Sequence, residues 1–556
     1  MSYNSTEDGP SAEILDNNHE TDHSNATSPA VSVPKQGTDG DTDHPGGSTD
    51  SLTSEELERQ PLVQGQFVSP DDPIVSPLNL YWVRTVKFII RVMWITNVVL
   101  FFILLLSDFV AIPGLNNRGR SFLEIDLVIL SGLTNLLTYW CFTVPAYYER
   151  VLGYVTAGLL GVDFLVMFSV TYLRHQFGFI GNFLMLWTLA TVLFNCYADY
   201  TVERAKVYQE IRYTGRPENR KTFFEAIVIS FKFLIKLVLF VIIWNISLNL
   251  WLMAFDTHEK PPGKMVAVNN DQFKLHLSCY GDMTNGSQPI VLVEGGQTTS
   301  SEEFQEWIEE LYDLNKLERY CFYDRPGYGF SDSAASPVSV SIIVDYLEEA
   351  LKQSGVPGPF ALVGFDVGGL YSRAFASKNP TITKSIMLVD SWHEDMLKLK
   401  PFPKKETYSF PELSLMTTGV GFKLWFQGIV SPLGVVTNLH WFTHPKKYSS
   451  KARIYGPDMV HQSQYIRARL QEQITASILS YNEVAGSHLQ DIPLYVVSSD
   501  YMIKRSKNWG NWQRQLAKLS TDTEEWTVVE KTNHFMWESK SGKSALQEAL
   551  LRMLGA

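Results

Sequence analysis

The distribution of apolar residues divides the 556-residue chain into three parts. Residues 1–76 lack apolar periodicity, residues 77–256 contain long apolar stretches, and residues 257–556 alternate short β-rich runs with amphipathic segments. Stretches of about 20 apolar residues can cross a bilayer, and short strands alternating with helices are typical of a mostly parallel sheet. The pattern therefore predicts a polar tail, a membrane domain and an α/β domain.

The membrane domain is predicted to contain five transmembrane helices. We place them at about 92–112, 125–145, 151–173, 177–198 and 233–255. Asp163 lies near the middle of the third span, where a carboxylate is costly. Asp163 marks either a functional site or a protonated group that links helices by hydrogen bonds. The second, structural interpretation is favoured.

Basic residues predict the orientation of these spans. Arg84, Lys87 and Arg91 precede the first span, and a second basic group between residues 204 and 232 precedes the fifth. An even number of spans separates the groups, and loops rich in Lys and Arg face the cytosol. We therefore expect a cytosolic N-terminus and a lumenal or extracellular α/β domain, where the sequon at Asn285 could be glycosylated.

The net charge of -12 is a property of the tail. Residues 1–76 contain 15 Asp and Glu against Lys35 and Arg59, a balance of 2 - 15 = -13, which leaves about +1 for the remainder. This balance gives no nucleic-acid-binding surface. The Ser-, Thr-, Asp- and Gly-rich tail cannot bury enough apolar surface to fold, so we predict that it is disordered.

The tail also contains a candidate targeting signal. The run Glu58–Val63 resembles the acidic dileucine signals that sorting adaptor complexes read on cytosolic segments. Such signals direct membrane proteins to vacuolar or lysosome-like compartments. We therefore favour an internal membrane of this kind, with the endoplasmic reticulum or a mitochondrial membrane as alternatives.

The four cysteines fall into two groups. Cys141 and Cys196 lie in apolar segments, whereas Cys279 and Cys321 lie in predicted strands. Two thiols in the α/β domain exclude a disulfide framework. A single bridge between Cys279 and Cys321 can form if their strands are neighbours, but two buried thiols are the favoured expectation.

The run from Phe360 to Leu370 carries the most specific chemical signal. It predicts a buried strand, a sharp turn at Asp366 and the start of a helix, with Gly364 and Gly368 on either side of the turn. This G-x-D-x-G spacing resembles the nucleophile elbow of α/β-hydrolases, where small neighbours let a strained residue stand above a parallel sheet. An aspartate at this position is already an anion and needs no base to activate it.

The predicted order of strands supports the same resemblance. Eight strands lie near 264–268, 273–279, 290–294, 317–323, 360–365, 384–390, 493–498 and 525–530. The expected fold class is a multi-span α-helical membrane region followed by an α/β-hydrolase domain with an eight-stranded, mostly parallel sheet. About 100 residues separate Ser391 from Asp491, more than a simple connection needs, which predicts a helical cap at about 391–490. Polar residues and a proline interrupt its apolar stretch at 419–442, which argues against a sixth span.

The resemblance to α/β-hydrolases implies two partners for Asp366. His534, in the run Asn533–Glu538 after the last strand, occupies the position of the family's histidine. Asp500, at the end of strand seven, is the expected acid that orients the histidine. Asp390, at the end of strand six, is the alternative acid because some relatives use that position.

The expected oxyanion hole departs from the pattern of some relatives. The run Ile290–Gln297 resembles the strand and glycine turn that donate one N–H, so Gly296 is the expected donor and Val367 its partner. Epoxide hydrolases and haloalkane dehalogenases usually have His-Gly before this turn and Trp after the nucleophile. This chain has Glu294-Gly295 and Val367 instead, and the missing Trp ranks epoxide opening above dehalogenation.

A carboxylate nucleophile favours attack at saturated carbon. Attack on an ester gives a mixed anhydride, whereas attack on a strained carbon gives an alkyl ester that His534 can hydrolyse by deprotonating water. This logic and the motif N-H-F-x-x-E resemble epoxide hydrolases, in which paired cap tyrosines normally protonate the ring oxygen. The candidate tyrosines are Tyr408, Tyr448, Tyr455, Tyr465 and Tyr481. The mechanism uses neither a metal nor a cofactor, and none is predicted.

Three functions remain at this point. The favoured one is a membrane-anchored, epoxide-hydrolase-like enzyme that acts on a lipophilic small molecule. The alternatives are a lipid ester hydrolase and a hydrolase fold that has lost catalysis and serves as a binding or scaffold module. Membrane lipids are expected partners and nucleic acids are not. The arrangement of tail, spans and hydrolase resembles a group of fungal integral membrane proteins.

Overall fold

The computed structural model describes residues 72–113, 115, 121–217, 222–398 and 409–555. The predicted disordered tail, apart from residues 72–76, lies outside these ranges. The candidate sorting signal Glu58–Val63 and the cap residue Tyr408 lie outside them as well.

Five long helices precede the sheet, as the apolar stretches predicted. They span Tyr81–Ser107 (α1), Ser121–Trp140 (α2), Tyr147–Ser169 (α3), Thr171–Thr214 (α4) and Phe223–Asp256 (α5). Within the described residues, these five helices are long and apolar enough to cross a membrane. α1 begins well before its predicted start and α4 extends beyond both of its predicted limits, because polar and charged residues outside the apolar stretch continue the helix.

Charged side chains join three of these helices. Lys232 of α5 lies 2.8 Å from Asp199 of α4 and 3.0 Å from Glu149 of α3, and Lys236 lies 2.7 Å and 2.6 Å from the same two carboxylates. Two lysines and two carboxylates thus neutralise one another. A buried charge is least unfavourable when it is paired in this way. These four side chains therefore connect α3, α4 and α5.

The carboxylate of Asp163 is also bound between helices. It accepts hydrogen bonds from Ser247 Oγ at 2.5 Å and Trp251 Nε1 at 2.9 Å, both on α5. These contacts support the structural interpretation of Asp163 as a link between α3 and α5.

The α/β domain contains the predicted eight-stranded sheet. Its strands are Lys264–Val268 (β1), Phe273–Tyr280 (β2), Ile290–Glu294 (β3), Tyr320–Tyr323 (β4), Phe360–Phe365 (β5), Thr383–Val389 (β6), Leu494–Ser499 (β7) and Thr523–Val529 (β8). They lie in the order β1-β2-β4-β3-β5-β6-β7-β8, and β2 is antiparallel to both of its neighbours while the pairs from β4 to β8 are parallel. The central strands are wholly buried, which explains their unbroken apolar runs. The predicted fold class is confirmed.

Helices cover the sheet and form a separate layer above it. Those before the cap are Ser301–Phe304 (α6), Glu306–Asp313 (α7), Val340–Gln353 (α8) and Gly368–Lys378 (α9). Those between β6 and β7 are Phe410–Val430 (α10), Val435–Thr443 (α11), Ser450–Ile454 (α12), Ser463–Thr475 (α13) and Tyr481–Ala485 (α14). The last three are Asp500–Arg505 (α15), Lys507–Leu516 (α16) and Lys540–Leu554 (α17). The segment predicted as a cap is thus helical.

The cap and the long helices belong to one compact unit. Arg453 of α12 donates to Asp256 at the end of α5, with Nε at 3.0 and 3.1 Å from the two carboxylate oxygens. Ser336 of the α/β domain donates to the carbonyl of Asp108 after α1 at 2.8 Å. These contacts fix the α/β domain against one end of the helical bundle.

Cys279 and Cys321 form a disulfide, which overturns the favoured expectation of two thiols. Their Sγ atoms are bonded at 2.09 Å and their Cα atoms lie 4.1 Å apart. The two residues face each other directly because β2 and β4 are antiparallel neighbours in the register that pairs them. That register is a property of the folded sheet, and the spacing of the cysteines along the chain does not encode it.

Candidate active site

The elbow between β5 and α9 holds Asp366 in a left-handed conformation, with φ = 53°. This conformation is strained for a residue with a side chain. The sharp turn also brings other backbone segments close to the residues on either side of Asp366, so these residues must be small. A Cβ on Gly364 would lie 2.7 Å from Gly369 Cα, and one on Gly368 would lie 2.6 Å from the carbonyl oxygen of Gly295. The glycines therefore allow the tight turn that raises Asp366 above the sheet.

Two aspartates flank His534. Its Nε2 lies 3.3 Å from Asp366 Oδ1, and its Nδ1 lies 2.6 Å from Asp390 Oδ2. Asp390 is fully buried and also accepts hydrogen bonds from Ser499 Oγ at 2.7 Å and Trp509 Nε1 at 2.8 Å. The structure therefore brings together a chain of three groups, Asp366, His534 and Asp390.

The choice of Asp500 as the acid is corrected by this geometry. Asp500 begins α15, and its carboxylate accepts hydrogen bonds from the Thr532 amide at 3.1 Å and Lys504 Nζ at 2.5 Å. It therefore binds the backbone two residues before His534 and not the imidazole. The alternative, Asp390, makes the contact because it follows β6 in a tight turn with φ = 40°.

The oxyanion donor is corrected in the same way. The amide of Gln297 donates to Asp366 Oδ2 at 2.9 Å, and the amide of Val367 also hydrogen-bonds to the Asp366 carboxylate. Gly296 instead presents its carbonyl to Arg325 Nη2 at 2.8 Å. The buried Arg325 thus orients the loop so that the next amide faces the Asp366 carboxylate.

The electrostatics favour an ion pair between Asp366 and His534. Burial opposes charge on Asp366, but His534 and the two backbone amides outweigh it and hold the pKa of Asp366 below its usual value. Burial likewise opposes an imidazolium, yet the hydrogen bonds and charges of Asp366 and Asp390 raise the pKa of His534 to about 10. Esterification of Asp366 would remove one of these charges and lower the pKa of His534. His534 can therefore become a base once an ester exists.

A cavity of about 410 Å³ opens onto this chain of groups. Its lining includes Tyr371, Trp392, Val420, Arg469 and Glu472 together with Asp366 and His534. Glu472 accepts hydrogen bonds from Tyr328 at 2.9 Å and from Tyr371 at 3.0 Å. The cavity is thus lined by apolar side chains as well as by charged and polar groups.

The described cap tyrosines do not line this cavity. The four are Tyr448, Tyr455, Tyr465 and Tyr481. Tyr465 donates its hydroxyl to the Gln297 carbonyl at 2.8 Å, so it supports the turn that carries the Gln297 amide. Among the described residues, the tyrosine of the cavity is Tyr371, which lies on α9 and not in the cap. No spacing rule in the sequence identifies it, because Glu472 reaches it from a distant helix.

Glu294 lies buried beneath the oxyanion turn. Burial raises the pKa of Glu294 to about 8, although the charge of Arg325 and a hydrogen bond with Tyr323 oppose this shift. The carboxyl is therefore protonated in the folded protein below that pH. Glu294 occupies the position where epoxide hydrolases usually have histidine, so this chain places a neutral acid there.

Within the described residues, one cluster has the composition of a metal site. The ligand atoms of His276, Glu302 and Asp324 lie within 4.8 Å of one another. Burial and the neighbouring Asp324 raise the pKa of Glu302 well above its usual range. A protonated Glu302 beside the His276–Asp324 pair, with Nδ1 and Oδ2 2.8 Å apart, balances the charges of the cluster without a cation.

Comparisons with known proteins match two regions of the chain. Residues 48–279 match a family described as a region of unknown function, and residues 288–540 match the α/β hydrolase fold family. The solved structures that are similar include an epoxide hydrolase from Vigna radiata. It is 14% identical, with a TM-score of 0.37, and the match covers 52% of this chain and 94% of that one.

Two yeast proteins match across both regions. A Schizosaccharomyces pombe protein described as uncharacterized is 28% identical over 86% of this chain and 92% of its own. An uncharacterized vacuolar membrane protein of Saccharomyces cerevisiae is 31% identical over 86% of this chain and 87% of its own. The chain, in which several apolar helices precede an α/β-hydrolase domain, therefore belongs to the family of this Saccharomyces cerevisiae protein.

Proposed function

We propose that the protein is a membrane-anchored, epoxide-hydrolase-like enzyme that opens a lipophilic substrate through a covalent ester at Asp366. One observation carries this proposal. Asp366 receives two backbone amides, while its Oδ1 lies 3.3 Å from an imidazole that Asp390 holds from the other side. This arrangement supplies an ionised nucleophile, an oxyanion hole and a base that becomes active in the second step.

In the first step, an Asp366 oxygen attacks a ring carbon of the epoxide and the carbon–oxygen bond of the ring breaks. The released oxygen needs a proton, and we assign this role to Tyr371. Burial and the adjacent Glu472 raise the pKa of Tyr371, which keeps its hydroxyl protonated until the ring opens. The imidazolium of His534, no longer beside a charged carboxylate, then returns a proton to Tyr371 through solvent.

In the second step, the neutral His534 removes a proton from water and the hydroxide attacks the Asp366 ester carbonyl. The amides of Gln297 and Val367 hold the resulting oxyanion. Asp390 keeps the imidazole in the tautomer that has its acceptor nitrogen towards the water. Collapse releases the diol, whose oxygen takes the proton from His534, and leaves Asp366 as a carboxylic acid. Asp366 then passes this proton to His534, which restores the initial ion pair of carboxylate and imidazolium.

Three observations support a vacuolar location with a lumenal α/β domain. The Saccharomyces cerevisiae relative is described as a vacuolar membrane protein. Arg84, Lys87 and Arg91 lie in the first half of α1, and the second basic group, between residues 204 and 232, extends from the end of α4 to the start of α5. Since an even number of spans separates the two groups, the positive-inside rule favours a cytosolic location for both. The disulfide between Cys279 and Cys321 suits an oxidising lumen and not the cytosol.

The substitution His534→Gln tests the covalent mechanism. The variant keeps the Asp366 nucleophile but lacks the base for the second step, so the ester should accumulate. Mass spectrometry of the peptide that contains Asp366, after exposure to lipophilic epoxides, should find an added mass equal to one substrate. Asp500→Asn serves as the matched control and should leave no adduct. An unmodified Asp366 in His534→Gln, together with unchanged turnover, would overturn the proposal.

A further inference from the structure

Two cap helices form a bent pair with an apolar outer face. Thr418–Leu433 and Val435–Thr443 meet at 45° and together are apolar enough to cross a membrane. Gly434, with φ = 57°, makes the bend. The outward side chains, each at least 44% exposed, are Phe422, Phe426, Val430, Val435, Leu439 and Phe442. A contiguous apolar surface of this kind marks an interaction site.

The inner face of the pair packs against the apolar helices. Gly428 lies so close to α2 that a Cβ on it would be 2.2 Å from the Phe122 ring. Asn249 of α5 donates to the Pro432 carbonyl at 3.1 Å. The Pro and Gly residues that interrupt this segment are therefore accommodated by contact with α2 and α5.

The pair extends along α5 from the C-terminal end of that helix towards its middle. Asn438 donates to the carbonyl of Asn245 at 3.2 Å, and Asn245 lies about three turns before Asp256, or ~16 Å along the helix axis. The outer face of the pair is therefore level with the apolar part of α5. It continues the surface that α5 presents to the surrounding membrane.

The pair returns to the side from which it came. α12 follows α11, and its Arg453 binds Asp256 at the same end of α5 that contacts the α/β domain. A segment whose two ends lie on the same side of a bilayer enters the bilayer without crossing it. Irregular backbone at such depth is tolerated where it is buried against protein, as Pro432 is.

The end of the pair has the composition of a membrane interface. The exposed Trp441 is followed by the exposed residues Lys446, Lys447 and Lys451. Tryptophan is enriched at the level of lipid headgroups, and lysines attract anionic headgroups. The apolar face thus ends in a basic, aromatic edge.

The pair also reaches the candidate active site. Val420 of α10 lines the cavity that contains Asp366 and His534. Phe422 and Phe426, on the same helix, are exposed on the outside. A single helix therefore separates the reacting groups from the surface that continues the membrane helices.

We propose that α10 and α11 lie within the leaflet that adjoins the α/β domain, and that an amphiphilic substrate passes from this leaflet along α10 to Asp366. The occupant of the apolar face is the lipid of the protein's own bilayer. The second half of this inference rests on the proposed function. The first half, the insertion of the pair, is independent of any activity.

Site-directed quenching tests the insertion. Single cysteines replace Phe426 or Leu439 in the full-length chain carrying Cys141→Ala and Cys196→Ala, are labelled with bimane, and are placed in nanodiscs of brominated lipid. Val238 of α5 is the control for lipid contact, and the exposed Leu314 of the α/β domain is the control for water. We expect the labels at 426 and 439 to be quenched like the label at 238. Quenching no greater than at 314 would overturn the proposal.

The same labels distinguish lipid from a second copy of the chain. With one copy per nanodisc, lipid contact gives full quenching at 426 and 439. If two copies per nanodisc abolish this quenching while Val238 is unaffected, the face is an interface between copies and the proposal fails. Unchanged quenching supports lipid as the occupant.

Turnover tests the passage of substrate. The double variant Phe422→Asp and Phe426→Asp places charges on the membrane face, where a charged side chain is unfavourable. We expect at least about a tenfold loss in kcat/KM for a long-chain epoxide held in vesicles, and little change for a short water-soluble epoxide. Leu314→Asp is the matched control and should affect neither substrate. Equal losses for both substrates, or no loss for either, would contradict the route. If the unsubstituted protein turns over neither epoxide, the proposed function fails, while quenching still decides the insertion.

Discussion

Asp366 and Asp390 both contact His534, yet their surroundings give them different roles. Asp390 has no exposed surface, and Ser499 and Trp509 occupy its oxygens, so it can only hold the imidazole. Asp366 faces the cavity, and its carboxylate accepts hydrogen bonds from backbone amides. The same amides can stabilise negative charge on the Asp366 carbonyl oxygen when an ester at this residue is attacked. At the scale of single residues, position therefore separates the proposed nucleophile, Asp366, from Asp390, which orients the imidazole.

Exchanging either candidate acid for asparagine distinguishes their roles. Asp390→Asn puts an amide beside His534 and should lower kcat by about a hundredfold or more, since the imidazole loses its charged partner. Asp500→Asn is the matched control, because it changes a carboxylate that binds Thr532 and Lys504. It should change kcat by less than about threefold. A larger loss in Asp500→Asn than in Asp390→Asn would restore the expectation drawn from the sequence.

Glu294 predicts that the folded protein is more stable in acid. Its folded pKa of about 8 lies above the ordinary value of 4.5, so the neutral form favours folding. This stabilisation is complete below pH 4.5 and is lost as the pH rises through about 8. The thermal unfolding midpoint should therefore fall between mildly acidic and mildly alkaline buffer.

The variant Glu294→Gln is the control for this effect. Glutamine is neutral at every pH, so the variant should lose most of the decline in midpoint that the unsubstituted protein undergoes. A decline of the same size in both proteins would mean that other groups cause it.

At the scale of elements, the close approach of α10 to α2 depends on one glycine. Gly428→Ala places a Cβ 2.2 Å from the Phe122 ring and should lower the free energy of unfolding by about 1–3 kcal/mol. Gly419→Ala lies on the same helix and meets nothing within 4 Å. It should stabilise the protein by up to about 1 kcal/mol through helix propensity. Thermal unfolding of the two variants measures the difference, and equal midpoints would contradict the packing.

The strands could be predicted from the sequence, whereas several side-chain partnerships could not. β3 and β5 begin and end where their apolar runs do, because buried parallel strands leave little room for polar residues. Asp390 and Asp500 both end strands, so the pattern alone did not select between them. The selection depends on Trp509, which reaches Asp390 from a helix 119 positions along the chain. The disulfide was missed for the same reason, since only the sheet register pairs its cysteines.

At the scale of the whole molecule, the proposed orientation predicts a modification. Asn285 is exposed in the connection between β2 and β3, so its side chain is accessible to a glycosyltransferase in a lumen. Endoglycosidase treatment should increase the gel mobility of the protein, and Asn285→Gln should abolish that change. Cleavage of the α/β domain by protease added to the cytosolic face of intact vacuoles would contradict the orientation.

The central claim is that Asp366 forms a covalent ester, and oxygen exchange tests it most directly. A single turnover of a lipophilic epoxide by excess full-length protein in heavy-oxygen water should leave one heavy oxygen in the Asp366 carboxylate, because water attacks the Asp366 carbonyl and not the substrate. The peptides containing Asp390 and Asp500 should remain unlabelled. Absence of label in Asp366, with full activity retained in Asp366→Asn, would contradict the account.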